Sequence, residues 1–292
     1  MRIAILSDIH ANLEALRAVL DRIAGDEIDR IACLGDIVGY NTDPEPCIHL
    51  LQEAGALCVA GNHDRAVTGQ ISTDGFSSIA VRAVAWTRAR LEPPALDYLK
   101  GLPLKASIGN QLVMVHGALH PEVGCETVRL DNEEGRRMSF DALAAHPSGA
   151  RVCAFGHTHR MGIYELVGSR MRELPCDELS LRDDAYYLIN PGTVGEPRMS
   201  DRRASYLVLD TDRRVLSVRR VRYDHATAVA KTRKAGLAPR FSRIPAPVRL
   251  RLLWGLHALG LYEPVKRLTT PRSRRIADPT RSGSRMDESP EP

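Results

Sequence analysis

The sequence predicts an α/β fold in which a sheet-on-sheet core is flanked by helices. Three observations carry that expectation. Over the first sixty residues, short apolar runs alternate with segments of helical periodicity. Beyond Ile163 the pattern changes to apolar–polar alternation broken by turn signals such as Gly168-Ser169 and Asp210–Asp212. Short polar clusters begin where apolar runs end, at Asp8, Asp36 and Asn62. At 292 residues and 43% hydrophobic content, the chain is long enough to bury a large core.

Each element has a local reason. Ile3–Leu6 reads as a buried strand. Asn12 is placed to cap a helix whose apolar positions Leu13, Leu16, Leu20 and Ile23 recur at helical spacing. Asp29–Leu34 gives a second strand, Pro46–Ala54 a second helix and Ala56–Ala60 a third strand. Strands alternating with helices argue for a mainly parallel sheet with covered faces, with ligands at the carboxyl ends of its strands. Residues 65–104 have helical character interrupted at Pro93-Pro94. Lys105–Ile108 and Leu112–His116, separated by Gly109-Asn110, form a hairpin pattern. Val152–Phe155 is a further strand, and Ile163–Leu174 with Tyr186–Val221 suggests an antiparallel second half. His225–Ala235 and Val248–Leu261 have helical patterns.

Composition sets further bounds. No basic leader with an apolar stretch opens the chain, and no apolar run approaches the ~18 residues of a membrane span. None of the six cysteines forms a C-x-x-C pair, and Cys33, Cys58 and Cys153 lie inside apolar runs. The expectation is reduced, buried thiols in a cytoplasmic protein. The net charge of +4 is unevenly spread. From Ala226 to Pro292 there are 14 Lys/Arg against 5 Asp/Glu, whereas the preceding residues hold 26 against 31. We therefore expect a domain at 1–223, a basic helical extension at 224–270 and a disordered tail at 271–292. The extension could lie on an anionic partner, a nucleic acid or a membrane surface, or pack back on the body.

Five clusters carry chemistry: Asp8-Ile9-His10, Gly35-Asp36, Gly61-Asn62-His63-Asp64, Val115-His116-Gly117 and Gly156-His157-Thr158-His159. Singly, each has an ordinary reading as a turn, a cap or a core histidine. Together they offer oxygen and imidazole ligands without thiolate, a set suited to Mn, Fe, Co, Ni or Zn. Asp8 and His10, like His157 and His159, are one residue apart, so in an extended segment each pair shares a side. An aspartate at a neighbouring strand end can bridge two cations through its two oxygens, and an Asn amide oxygen adds a neutral ligand. Two cations ~4 Å apart clamp a phosphoryl group and acidify the water between them.

The ordered set D-x-H, G-D, G-N-H-D, H-G and G-H-T-H resembles the calcineurin-like metallophosphoesterase superfamily. The closer resemblance is to its small bacterial branch, through Gly35-Asp36-Ile37-Val38-Gly39-Tyr40 and Asn190-Pro191-Gly192-Thr193-Val194-Gly195-Glu196-Pro197-Arg198. Asn41-Thr42 departs from the Gly-Pro usual after that tyrosine, and the C-terminal extension has no counterpart in minimal members. The resemblance covers roughly residues 1–222. It implies a four-layer α/β/β/α sandwich of two mixed sheets flanked by helices, and two divalent transition-metal ions, Mn in the first place. Asp8, His10, Asp36 and His159 would hold one ion. Asp36, Asn62, His116 and His157 would hold the other. His63 would protonate the leaving oxygen, with Asp64 hydrogen-bonded to it. The implied reaction is attack by a metal-bridging hydroxide on a phosphomonoester or phosphodiester of a small, nucleotide-like substrate. A dinucleoside-polyphosphate hydrolase, a protein serine/threonine phosphatase and a non-catalytic scaffold of the same fold are the alternatives. Arg198 and Asn12 are candidates for binding phosphate oxygens, Asn12 being equally a helix cap.

Overall fold

The computed structural model describes residues 1–198 and 200–238. The chain divides into two units, one of Met1–Thr73 with Ile79–Ala238 and a second that holds Asp74–Ser78. Of the second, only Asp74–Ser78 lies among the described residues, so the fold below is that of the first. The expected helix at Val248–Leu261 and the tail at 271–292 lie outside the described residues. No helix among the described residues is long and apolar enough to cross a membrane.

Two six-stranded mixed sheets face each other. The first runs β3 (Leu57–Cys58), β2 (Arg30–Cys33), β1 (Arg2–Leu6), β11 (Ala204–Asp210), β12 (Val215–Val221), β9 (Leu179–Ser180). The second runs β4 (Lys105–Ile108), β5 (Leu112–Val115), β6 (Val152–Ala154), β10 (Ala185–Pro191), β7 (Met161–Val167), β8 (Arg170–Leu174). β1, β2 and β3 are parallel, as are β5, β6 and β10. The remaining pairings are antiparallel, including the β4–β5 hairpin.

Side-chain alternation makes the layers. Ile3, Ile5, Leu207 and Leu209 from the first sheet meet Leu112, Met114, Val152, Ala154, Tyr187 and Ile189 from the second. The intervening residues Val113, Val115, Cys153 and Leu188 point the other way, onto Phe140 and Leu143. Those two residues belong to α6 (Glu133–Ala144). Strands buried on both faces read as unbroken apolar runs, which is how Leu112–Val115 reads. α1 (Leu13–Ala24) packs on β11 and β12 and also against α2 (Pro44–Glu53), covering the first sheet. The four-layer sandwich is thus present.

Several elements differ from expectation. The 65–104 stretch is three helices, α3 (Asn62–Thr68), α4 (Ser78–Arg88) and α5 (Pro93–Gly101). Pro93-Pro94 does not interrupt a helix but starts one, at the first turn where a missing N–H costs nothing. α6 lies where only the stretch around His146 has helical character in the sequence. Among its buried residues only Phe140 and Leu143 are large and apolar, too narrow a stripe to stand out in the sequence. α7 (His225–Lys234) packs on α1. Lys231 pairs with Glu14 and Asp43, and Thr232 donates to Asn41 at 2.8 Å. The compact unit accordingly continues past Tyr223 to Ala238. All six cysteines are free thiols, five of them buried.

Leu207 pairs with Ile5 in register and sits at the centre of the inter-sheet core. Leu207→Ala should cost about 2–5 kcal/mol. Chemical denaturation will measure the loss, and a cost below 1 kcal/mol would mean that the core collapses to fill the cavity.

Candidate metal centre

The five clusters meet at one end of the sandwich. Asp8 follows β1, Asp36 follows β2 and Asn62 follows β3 in the first sheet. His116 follows β5, and His157 and His159 follow β6, in the second. All five strand ends are carboxyl ends of parallel strands, and the site straddles the seam between the sheets.

Local backbone geometry does the aiming. Asp8, His10, Asp36, His157 and His159 all take left-handed conformations, with φ of 54°, 51°, 52°, 63° and 59°. Each such residue costs roughly 1–3 kcal/mol and persists only where surrounding contacts enforce it. The strands end at Leu6 and Ala154, so the shared side of Asp8 with His10, and of His157 with His159, does not arise from extended backbone as the spacing suggested. It arises from left-handed turns that fold the chain back over the strand end. Two glycines permit the crossing. A Cβ on Gly156 would stand 1.9 Å from Ser7 Oγ and 2.8 Å from Asp8 Oδ2, and one on Gly61 would stand 2.1 Å from Asp36 Oδ1.

Three imidazoles are oriented by backbone carbonyls. Nδ1 of His10 donates to Val38 O (3.2 Å), Nδ1 of His116 to Leu34 O (2.7 Å) and Nδ1 of His159 to Glu196 O (2.8 Å). A proton at Nδ1 leaves a lone pair at Nε2 in the neutral ring. Those lone pairs converge. His10 Nε2 lies 3.1 Å from His159 Nε2 and 3.5 Å from Asp36 Oδ2, and His159 Nε2 lies 3.1 Å from Asp8 Oδ1. Asp8 Oδ1 is buried and receives no hydrogen bond. On the other side, His116 Nε2 is 3.3 Å from Asp36 Oδ2 and 3.2 Å from Asn62 Oδ1, and the His157 ring centroid is 5.2 Å from that of His116. Donor atoms crowded in this way repel wherever no proton lies between them, and a divalent cation would relieve that repulsion.

The geometry yields two candidate donor sets, Asp8–His10–Asp36–His159 and Asp36–His116–His157, with ligating atoms within 4.8 Å of one another in each. The Asn62 oxygen extends the second. Asp36 belongs to both, but its two oxygens are not divided between them. Oδ1 accepts the His63 N–H at 2.8 Å, and Oδ2 alone faces both His10 and His116.

Electrostatics fits a cation-binding role. Burial pushes His10 down, and pushes His157 down to about 3. Both are therefore neutral, as ligands must be. Burial opposes the charge on Asp36, yet the surrounding histidines, His116 first, hold its carboxyl well below the usual range. Burial also opposes the charge on His116, but Asp36 outweighs it and lifts the imidazole to about 9.

His63 and Asp64 open α3. The His63 ring lies 4.9 Å from that of His10, and the Tyr40 ring lies 4.7 Å from each. Burial pushes His63 down to about 4. The hydrogen bonds of the Asp64 carboxylate run to the backbone N–H groups of Val38 (3.1 Å) and Gly61 (2.9 Å), not to the His63 ring. Asp64 therefore fixes the loop that carries His63, a corrected role with a simple cause: as third residue of α3 its side chain caps the helix start. Burial, then Asp36, raises it to about 7. Asn12 is buried as a helix cap. Its Oδ1 accepts Ala15 N–H (3.1 Å) and its Nδ2 donates to Gly195 O (2.8 Å), which turns its amide away from a phosphate-binding role. Arg198 is exposed, with its guanidinium 5.9 Å from the Tyr40 ring centroid.

Some supporting residues escaped the sequence reading. Ser7 Oγ donates to Asp8 Oδ2 at 2.7 Å. The Asn190–Gly195 turn braces the first cluster, because Thr193 Oγ1 and Gly195 N both donate to Asp8 O and Val194 N donates to Ser7 O. The N-P-G-T-V-G motif was the available signal for that contact, but nothing in its spacing says what it touches.

A sequence profile of the family described as calcineurin-like phosphoesterase superfamily domain matches residues 1–214. An uncharacterized protein of Methanocaldococcus jannaschii is 35% identical over 257 residues, which are 87% of this chain and 98% of that one. The crystal structure of a metallophosphoesterase from Sphaerobacter thermophilus is 34% identical, with a TM-score of 0.67 over 82% of this chain and 95% of that chain. A hypothetical protein from Pyrococcus horikoshii shares the fold at 17% identity, with a TM-score of 0.65 over 83% of this chain and 96% of that chain.

Two outcomes test the centre. Gly156→Ala should displace Ser7 and Asp8, cost about 1–3 kcal/mol and reduce the metal content measured by elemental analysis. Wild-type stability with undiminished metal content would contradict this packing. In the metal-free protein His116 carries a proton up to about pH 9, and a cation must expel it. The apparent affinity for Mn should therefore rise ~tenfold per pH unit on approach to that value, as titration calorimetry between pH 6 and 9 will measure. A flat profile would remove His116 from the ligand set.

Proposed function

The chain belongs to the calcineurin-like phosphoesterase superfamily, and we propose that it is a metal-dependent hydrolase of phosphomonoester or phosphodiester bonds in a small phosphorylated substrate such as a nucleotide. One observation carries this reading: two sets of candidate donor atoms meet at a single oxygen of Asp36. In the reading, Asp8, His10, Asp36 and His159 hold one divalent cation, and Asp36, Asn62, His116 and His157 hold a second. Mn is the first choice, with Fe, Zn, Co and Ni sharing the same ligand preferences. When bound, the pair supplies Lewis acidity to phosphoryl oxygens and acidifies water.

The chain's own residues do the rest. His63 delivers a proton to the leaving oxygen. Its Nδ1 side is turned to Gly39, where a Cβ would come within 2.4 Å. Nε2 is therefore the atom from which the proton leaves. Burial keeps the ring neutral at rest, and an arriving phosphoryl anion opposes that burial and raises the pKa. Tyr40 supports the His63 ring. Asp64 holds Gly61 and Val38, and so fixes the angle at which His63 meets the substrate. Asp36 grips the His63 amide through Oδ1. Thus one carboxylate sets both the cation positions and the acid's position. Arg198, near the Tyr40 rim, offers a guanidinium to phosphate oxygens.

The test uses Mn-loaded protein and p-nitrophenyl phosphate with its bis ester. Turnover with two metals per chain is expected, and His63→Asn should lower kcat by about 10²–10⁴ while both metals stay bound. Loss of a metal in that variant would make His63 a ligand instead, and a folded wild-type chain that binds no metal would sink the reading.

A further inference from the structure

Beside the metal centre lies a cavity of about 230 Å³ that none of the roles above fills. One wall is His159, a member of the first donor set. The others include Arg198, Arg203, Arg220, Asp201 and Met161. Arg203 makes a fork-on-carboxylate pair with Asp201, through Nε to Oδ1 (3.0 Å) and Nη2 to Oδ2 (2.7 Å). Arg220, on β12, stands 3.8 Å from the same carboxylate and reaches Met161 Sδ at 3.7 Å. Two guanidinium groups thus share one carboxylate, and with Arg198 on the wall the cleft carries two positive charges in excess. The Arg203 and Arg220 side chains are 45% and 37% exposed, so a ligand can approach them from solvent.

The chemistry of this cleft is selective. Among the described residues no Phe, Tyr or Trp lines it, so charge rather than a broad aromatic face dominates its walls. The guanidinium fork matches phosphate oxygens in two-point geometry. The cavity is smaller than the ~300 Å³ at which pockets begin to hold a whole drug-sized ligand. It suits one charged part of a substrate whose other end occupies the metal centre. His159 borders both spaces, so one molecule with two charged ends can occupy both.

Resting on the phosphoesterase reading, we propose that this cleft is a subsite for a second phosphate group of the substrate. The substrate class is then a compound bearing two phosphates, on one phosphate chain or at two positions of one scaffold. Asp201 holds the arginines in place until that phosphate arrives.

The test compares hydrolysis of adenosine 5′-monophosphate, adenosine 5′-diphosphate and adenosine 3′,5′-bisphosphate by the Mn-loaded full chain. KM for at least one doubly phosphorylated compound should be tenfold or more below that for the monophosphate. Preference for the diphosphate assigns the chain arrangement, and preference for the bisphosphate the two-position arrangement. Arg203→Ala and Arg220→Ala should each raise that lower KM at least fivefold and move the monophosphate KM less than twofold, with Arg220→Lys recovering part of the loss. Equal KM values for all three compounds in the wild type, or equal effects of the variants on all three, would overturn the subsite. If the wild type turns over none of them, p-nitrophenyl phosphate and its bis ester decide the phosphoesterase reading separately, and calorimetric titration of the metal-free full chain with pyrophosphate reads the subsite. Binding weakened tenfold in Arg220→Ala supports it, and binding that is absent in the wild type or unchanged in the variant refutes it.

Discussion

The Asp36 carboxylate is buried among histidines, and the organisation of this end of the molecule follows from how that charge is tolerated. One oxygen is satisfied by the His63 amide, and the other is flanked by Nε2 of His10 and of His116. Burial alone would favour the neutral acid. The imidazoles reverse that preference, and His116 in turn is raised by the same carboxylate. In the absence of a cation the cluster is thus a mutually dependent set of charges. On the proposed reading, a cation would replace the shared protons as the source of positive charge.

Holding that set together requires five strand ends from two sheets to converge. Left-handed backbone at Asp8, His10, Asp36, His157 and His159 is the local cost. The rest of the sandwich offsets it. Both inner faces of the sheets are filled by interdigitating aliphatic side chains, which fixes the distance between β1–β3 and β5–β6. The Asn190–Gly195 turn then locks the first cluster by hydrogen bonds to the backbone of Ser7 and Asp8. Strain at the site is tolerable because the scaffold around it is over-determined.

The same architecture separates two tasks. Carboxylates and imidazoles face the seam, whereas arginines line the cleft beyond His159. His159 belongs to both spaces. On the proposed reading, a phosphorylated substrate would meet positive charge on each side of its reacting group and be oriented by it before any chemistry.

By itself the sequence determined the strand–helix alternation, the two-sheet core and the identity of the donor atoms. Those features depend on side-chain type and on periods of two and 3.6 residues, and both are local properties. Residue type also made Asn12 a helix cap as readily as a ligand, and tertiary contact with Gly195 decided between them. Only the fold could reveal that one Asp36 oxygen serves both donor sets, that Asp64 holds backbone instead of the His63 ring, and that α7 belongs to the compact unit. It also brought Arg203 and Arg220 beside His159 across more than forty residues of chain. Such features are distances between segments remote in sequence. They are fixed by packing between layers, which no local pattern encodes.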